Sequence, residues 1–113
     1  MPALRVRRHK YGAVPITVDG IWFASTKEGR RYRELRLLAA AGAIAALERQ
    51  PAYPLSVLAA DGARVVIGKY VGDFRYQTAD GSVVEDAKGV RTPLYRWKRR
   101  HVEAEYGITI VEV

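Results

Sequence analysis

The fold is decided by residues 73–88, which read DFRYQTADGSVVEDAK. Two stretches that mix apolar and polar residues flank Asp80-Gly81, and an Asp-Gly pair in this setting is the strongest short-range signal for a β-hairpin. A turn centred on this pair places Asp73 opposite Lys88. The sequence therefore predicts an antiparallel ribbon whose tip lies at residues 80–81.

Three charged residues share one face of this hairpin. Successive strand residues alternate between faces, so Asp73, Asp86 and Lys88 lie on the same side, with Arg75 opposite Asp86. Opposed side chains are about 5 Å apart at Cβ and diagonal ones about 7–8 Å. Two carboxylates at this spacing can hold Mg²⁺, or Mn²⁺ as a substitute, and the lysine can orient or deprotonate an attacking water. The alternative is a solvated strand face with a cross-strand salt bridge.

The opposite face of the hairpin is expected to look into the core. Phe74 and Tyr76 fall on that side, which supports the register, but Glu85 falls there as well. Either Glu85 pairs with an arginine beneath the sheet, or the register slips by one residue and Glu85 replaces Asp86 as the ligand. We favour Asp86 because only Asp86 stands two residues before Lys88.

The remaining patterns predict helices around a sheet. Residues 14–23 form a small hairpin, a capping box at 25–28 opens a helix that runs to Ala41, and Thr92-Pro93 opens a second helix to Tyr106. Strand patterns occupy 44–60, 64–76, 82–88 and 108–113. A strand reached through a helical crossover should run parallel to its neighbour.

The expected fold is therefore α/β, with a mixed four-stranded sheet flanked by helices. Its order is helix, three-strand meander, helix, strand, after an N-terminal hairpin. The 113 residues are enough for one domain, at 11–113, preceded by a basic arm at 1–10.

The charge of the chain points to a polyanionic partner. The net charge is +7 and the pI is near 10.0, which favours nucleic acid over a membrane because clustered cations release condensed counterions. A basic surface that serves only solubility is the alternative. The absence of cysteine excludes disulfides and thiolate chemistry. No run approaches the ~18–20 apolar residues of a membrane span, so we expect no membrane contact and a cytoplasmic protein.

Candidate phosphate-binding cations lie in the arm and in the second helix. At ~3.6 residues per turn, Leu94, Trp97 and Val102 or His101 can face the sheet while the cations of that helix face outward. A solvated amphipathic helix is the alternative. The candidates are Arg7, Arg8, Lys10, Arg96, Lys98 and Arg99.

Two further residues have competing interpretations. Glu28 is explained completely by the capping box, yet its position in the first helix also allows it to act as a third acidic ligand or a water-orienting base. Gln50, next to Pro51, is on residue type alone a surface amide. The histidines lack the partners of a zinc site or a hydrolase triad.

Seven short motifs in a fixed order resemble a known family, across about residues 9–113. The resemblance is to small phage and prophage proteins of uncharacterised function, which are similar to the PD-(D/E)XK nuclease superfamily. The motifs are Lys10-Tyr11-Gly12-Ala13, Val18-Asp19-Gly20-Ile21, Ser25 with Glu28 and Arg31-Tyr32, Leu47-Glu48 with Gln50-Pro51, Gly72-Asp73-Phe74, Val84 to Gly89, and Tyr106-Gly107-Ile108.

The resemblance implies a restriction-endonuclease-like core and assigns roles. Asp73 matches the first aspartate of the motif, Asp86 the (D/E) position and Lys88 the lysine. It favours the interpretation of Glu28 as a metal ligand and, more weakly, a role of Gln50 in contacting DNA. Gly72 departs from the pattern, which has proline there.

The leading hypothesis is a Mg²⁺-dependent phage endonuclease that hydrolyses DNA in the bacterial host. By analogy with small Holliday-junction resolvases, it implies branched DNA as a substrate and allows a homodimer. The rival hypotheses are a non-catalytic basic DNA-binding protein on a nuclease-like scaffold and a phage structural or interaction protein.

Overall fold

The computed structural model describes residues 13–87 and 91–113, so the predicted arm at 1–10 and Lys88 lie outside the described residues. Its helices and strands are, in chain order, β1 (Ile16–Val18), β2 (Ile21–Phe23), α1 (Thr26–Ala40), β3 (Ala45–Arg49), β4 (Ala52–Leu58), β5 (Arg64–Val71), β6 (Phe74–Thr78), β7 (Gly81–Asp86), α2 (Pro93–Tyr106) and β8 (Ile110–Glu112).

A four-stranded sheet of order β3-β6-β7-β8 forms the centre of the fold. Strand β6 pairs antiparallel with β3 and β7, while β8 runs parallel to β7. The parallel pairing follows from the crossover through α2. The predicted mixed four-stranded sheet is confirmed, and so is the N-terminal hairpin, in which β1 pairs with β2.

The predicted strands 44–60 and 64–76 are each two strands, so that part of the prediction is wrong. The chain breaks at Gln50-Pro51 and again at Gly72-Asp73, where the amide of Gly72 donates to the carbonyl of Pro51 (3.0 Å). Gln50 adopts a left-handed φ of 52°, and proline supplies no amide for a ladder. Between the two breaks, β4 and β5 pair with each other as a separate ribbon.

The turn of the decisive hairpin differs from the prediction. Thr78 pairs with Gly81, so the two-residue turn is Ala79-Asp80 rather than Asp80-Gly81. The hydroxyl of Thr78 donates to the carbonyl of Gly81 (3.1 Å) and accepts from the amide of Asp80 (3.1 Å). These two bonds hold the tight turn at this position.

The register consequently differs by two residues from the predicted one. Phe74 pairs with Glu85 and Arg75 with Val84, so the predicted pairing of Arg75 with Asp86 is wrong. A shift of two residues leaves every side chain on its predicted face, whereas a shift of one would invert them all.

The central sheet separates two cores. Helix α1 packs on one face and α2 with the β4–β5 ribbon on the other. The first core contains Phe23, Tyr32, Leu35, Ile44, Phe74 and Tyr76. The second contains Tyr53, Leu55, Tyr70, Val84, Tyr95, Val102 and Ile110.

Helix α2 is rotated relative to the prediction. It begins at the predicted Thr92 cap and ends at Gly107, whose φ of 66° closes the helix. Its core-facing residues are Tyr95 and Val102, seven residues apart and therefore on one stripe. Leu94 and Trp97 are 62% and 74% exposed, so the prediction that they face the sheet is wrong, whereas the prediction for Val102 is confirmed.

Neither α1 nor α2, the helices of the described residues, is long and apolar enough to cross a bilayer.

Candidate functional site

Asp73 and Asp86 lie at the same end of two neighbouring strands. Asp73 directly precedes β6, and Asp86 is the last residue of β7. The amide of Asp73 donates to the carbonyl of Glu85 (3.0 Å), and the Asp73 carboxylate accepts from the amide of Ala87 (2.6 Å). The two acids therefore lie on neighbouring strands at the end where the hairpin opens, and the negative charges of both act on Tyr70.

Asp86 is a buried carboxylate beside an apolar core. It is 1% exposed, and the hydroxyl of Tyr70 donates to its Oδ2 (2.6 Å). Burial first, and then this hydrogen bond, raise the pKa of Tyr70 well above its usual value, so that Tyr70 remains a proton donor. Because burying a carboxylate is costly, its presence here is more typical of a functional site than of a packing position.

Tyr95 of α2 is buried close enough to feel the charge of Asp86. Burial raises the pKa of Tyr95 to about 12, with a further contribution from the negative charges of Asp86 and Glu112. Glu112 is the parallel-strand partner of Asp86. The site thus lies at the end of the central sheet where Asp73, Asp86 and Glu112 follow one another across β6, β7 and β8, with Tyr70 of the ribbon bonded to Asp86.

The donor set suits a hard divalent cation. Mg²⁺ is held in proteins by one or two carboxylates, with water and substrate phosphate oxygens completing its coordination. Asp73, half-buried, and Asp86, buried, supply those carboxylates. Within residues 13–87 and 91–113, no group of three or more acidic, histidine or cysteine side chains is arranged to hold a metal.

Glu28 is consequently not gathered with Asp73 and Asp86 into a three-acid cluster. The hydroxyl of Ser25 accepts from the amide of Glu28 (3.1 Å), which confirms the predicted N-cap of α1. The Glu28 side chain is half-buried. The structure thus shows Glu28 as an acid in the first turn of α1 and does not bring it to the pair as a third ligand.

Gln50 lies at the rim of the site. Its amide donates to the carbonyl of Asp73 (2.8 Å), and its left-handed φ of 52° is rare for a residue with a side chain. The residue itself is exposed. The structure therefore brings Gln50 to Asp73 through the backbone, which residue type alone does not predict.

Glu85 pairs with an arginine beneath the sheet, the first of its two predicted alternatives. Nε and Nη2 of Arg31 donate to its two carboxylate oxygens at 2.8 and 2.7 Å. Tyr76 also donates to Glu85, and the bond to Glu85 is the main cause of the raised pKa of Arg31. Glu85 is therefore a buried structural acid on the α1 side of the sheet.

The cations of α2 differ in their surroundings. Arg99 contacts Glu112, Glu103 and the carbonyl of Ile110, and so ties β8 to α2. Arg96 is exposed and Lys98 half-buried, and no salt bridge engages either within the described ranges. The predicted Arg7, Arg8, Lys10 and Lys88 lie outside the residues that the structure describes.

Tyr70 is the site residue that sequence reasoning missed. It comes from β5 in the inserted ribbon, whose position over the acid pair is a tertiary feature. No local motif marks a tyrosine that will meet a carboxylate sixteen residues later.

Comparison with known families settles the affiliation of the chain. A family model described as a protein of unknown function, DUF1064, matches residues 8–110. The chain belongs to the DUF1064 family. No curated protein and no solved structure is significantly similar to it. Because DUF1064 is described as a family of unknown function, membership assigns no activity to this DUF1064 protein, and its chemistry has to be inferred from its site.

Proposed function

We propose that this protein is a metal-dependent DNA endonuclease of the PD-(D/E)XK type, encoded by a phage and active in the cytoplasm of the bacterial host. Its site cleaves a phosphodiester bond: a water oxygen attacks phosphorus, one bridging P–O bond breaks, and the leaving oxygen takes up a proton. Branched DNA is the substrate that the resemblance favours, and a homodimer is the assembly that it allows.

The observation that carries the proposal is the meeting of Asp73 and Asp86 at the open end of one hairpin. An isolated aspartate on a strand face costs little and needs no explanation. A carboxylate that is 1% exposed and adjacent to a second carboxylate is costly and needs an explanation. The order helix, β3-β6-β7 meander, helix, parallel strand also supports the proposal, because the nuclease resemblance implies this order apart from the inserted β4–β5 ribbon.

Each site residue has a defined task. Asp73 and Asp86 hold Mg²⁺, which supplies charge stabilisation to the phosphoryl group. Lys88 orients or deprotonates the attacking water, and Glu28 is the further acid that the nuclease resemblance assigns to the site. Tyr70 positions Asp86 by donating to Oδ2.

Supporting cations hold the phosphates on either side of the cleaved bond. Arg96 and Lys98 of α2, which no salt bridge engages in the described part of the chain, serve best beside the arm, because an arginine already bound to carboxylates has fewer donors left. Gln50 lies beside Asp73, where an exposed amide can reach DNA.

Cleavage of supercoiled plasmid and of a four-way junction tests the proposal, with Mg²⁺ or Mn²⁺ present. We expect nicking by the wild type and a loss of at least about a hundredfold in Asp73→Asn, Asp86→Asn and Lys88→Ala, because each removes a group that balances transition-state charge. Asp80→Asn is the matched control. It changes an exposed aspartate in the turn of the same hairpin and should leave the cleavage rate unchanged.

Two other outcomes would reject the endonuclease. Salt-sensitive DNA binding by the wild type without cleavage of any tested substrate would favour a non-catalytic DNA-binding protein. The absence of salt-sensitive binding would favour a structural or interaction protein, because phosphate contacts always weaken as salt rises.

A further inference from the structure

An apolar surface remains uncovered where α2 crosses the β4–β5 ribbon. Trp97 is 74% exposed, Leu94 62% and Ile67 60%. Single exposed apolar residues are normal on a protein surface, but large ones that lie side by side mark a binding surface. Here they line one groove, so they require a common explanation.

The groove leads from Trp97 toward the acid pair. It has a volume of about 200 Å³, and a second groove of about 280 Å³ shares Leu94 and Lys98 with it. The second groove also reaches Tyr70, whose hydroxyl contacts Asp86. A chain bound across both grooves would therefore run from the tryptophan to the candidate site.

Gly68 keeps the first groove open. A Cβ atom added at Gly68 would have no heavy atom within 4 Å, so the space above this residue is empty. At about 200 Å³ the groove is smaller than the ~300–1,000 Å³ of typical small-molecule pockets and is open to solvent. Its form suits one flat group of a longer ligand better than a whole metabolite.

The charge around the groove decides which ligand fits. Lys98 lines both grooves and Lys69 the second, while Arg96 and Arg100 are exposed cations of the same helix α2. No salt bridge engages any of these four in the described part of the chain. A second copy docked here about a two-fold axis would bring these cations against their own counterparts, and like charges in an interface are strongly unfavourable. A polyanion with flat apolar groups meets both requirements.

We propose that Trp97, with Leu94 and Ile67, is a platform on which an unpaired base of the nucleic acid stacks, while Arg96 and Lys98 contact the adjoining phosphates. Stacking needs a base that is free of its own duplex neighbours, so the surface selects DNA with a single-stranded segment next to the cleaved bond. The inference rests on the proposed function for the identity of its ligand. It adds a feature of the DNA substrate, an unpaired base, that Asp73 and Asp86 cannot recognise.

Fluorescence anisotropy without a catalytic metal tests the platform. The probes are a duplex, the same duplex with a single-stranded flap, and a single strand of equal phosphate count. We expect Trp97→Ala to weaken binding to the flap and the single strand about 5- to 150-fold, the range for loss of one stacked base, and to change duplex binding little. Trp97→Phe should retain most of the affinity because it keeps an aromatic face.

Two further variants make the test specific. Trp22→Ala is the matched control, since Trp22 is a second exposed tryptophan (58%) on β2, and it should bind every probe like the wild type. Gly68→Ile places an aliphatic side chain at the groove, starting from a Cβ position with no heavy atom within 4 Å, and should reproduce the loss seen in Trp97→Ala. A folding defect is then ruled out by the unchanged duplex affinity.

Equal binding of all probes by Trp97→Ala and wild type would overturn the inference, even if the protein cuts DNA. A change from dimer to monomer in Trp97→Ala with unaltered DNA affinity would overturn it in favour of self-association. Trp97-dependent binding of unpaired DNA by a protein that cuts no substrate would support the platform and reject the proposed catalysis.

Discussion

The buried ion pair between Arg31 and Glu85 yields a prediction that can be worked out in magnitude. The side chain of Glu85 is 1% exposed and that of Arg31 25%. Arg31→Met keeps the aliphatic bulk but removes two charge-assisted bonds of 2.8 and 2.7 Å, each worth about 1.5–3 kcal/mol. The hydroxyl of Tyr76 still donates to Glu85, so we expect a loss of about 3–5 kcal/mol, the usual cost of leaving one buried charge unpaired.

Urea unfolding at pH 7 measures this loss. In thermal unfolding it corresponds to a decrease in Tm of on the order of 15 °C for a domain of this size. Arg33→Met is the control, because Arg33 is exposed and should change the unfolding free energy by less than about 0.5 kcal/mol. The double variant Arg31→Met/Glu85→Gln removes both charges and should be more stable than Arg31→Met alone.

The same variants separate structural from catalytic acids. Below its Tm, the double variant should still cleave DNA, because Glu85 lies on the α1 side of the sheet, opposite the face of Asp86. A loss of less than 1 kcal/mol in Arg31→Met, or a double variant that is folded but unable to cleave, would refute the assignment of Glu85 as purely structural.

Two further predictions concern packing and pH. Gly29→Ala should destabilise the protein by about 1–3 kcal/mol, because the new Cβ would lie 2.5 Å from Cγ2 of Ile16. This cost outweighs the gain of about 1 kcal/mol in helix propensity. A variant that is more stable than the wild type in urea unfolding would contradict this packing. The hydrogen bond from the Ser56 amide is the main cause of the lowered pKa of Glu105. The stabilising effect of this bond is complete above the unfolded-state pKa of the carboxyl and is lost over the range in which the pH falls from there through the lowered folded-state pKa. Glu105→Gln should therefore show a weaker fall in urea midpoint over that range than the wild type, and equal slopes would disprove the linkage.

The sequence predicts the faces of the hairpin better than its register. Alternation alone determines that Asp73 and Asp86 share a side, and any even shift preserves this. The register depends on the turn, and there the Asp80-Gly81 signal was outweighed by the two bonds of the Thr78 hydroxyl. The turn propensities of single residues do not account for such competing side-chain hydrogen bonds.

Sequence patterns could not predict the inserted ribbon or the rotation of α2, for a different reason. A strand pattern that continues through Gly72 does not reveal that the chain changes sheets there. The periodicity of α2 allows more than one buried stripe, and contact of Tyr95 and Val102 with the ribbon core selects one of them. Tyr70 and the exposed Trp97 both depend on these tertiary choices.

A crystal structure of the protein grown with Mn²⁺ tests the central claim most directly, because anomalous scattering locates the ion and its ligands. The account predicts one ion bound by carboxylate oxygens of Asp73 and Asp86, at about 2.0–2.2 Å, with water at its other positions. An ordered Mn²⁺ elsewhere with both aspartates uncoordinated, or two aspartate side chains that point apart at saturating Mn²⁺, would contradict it.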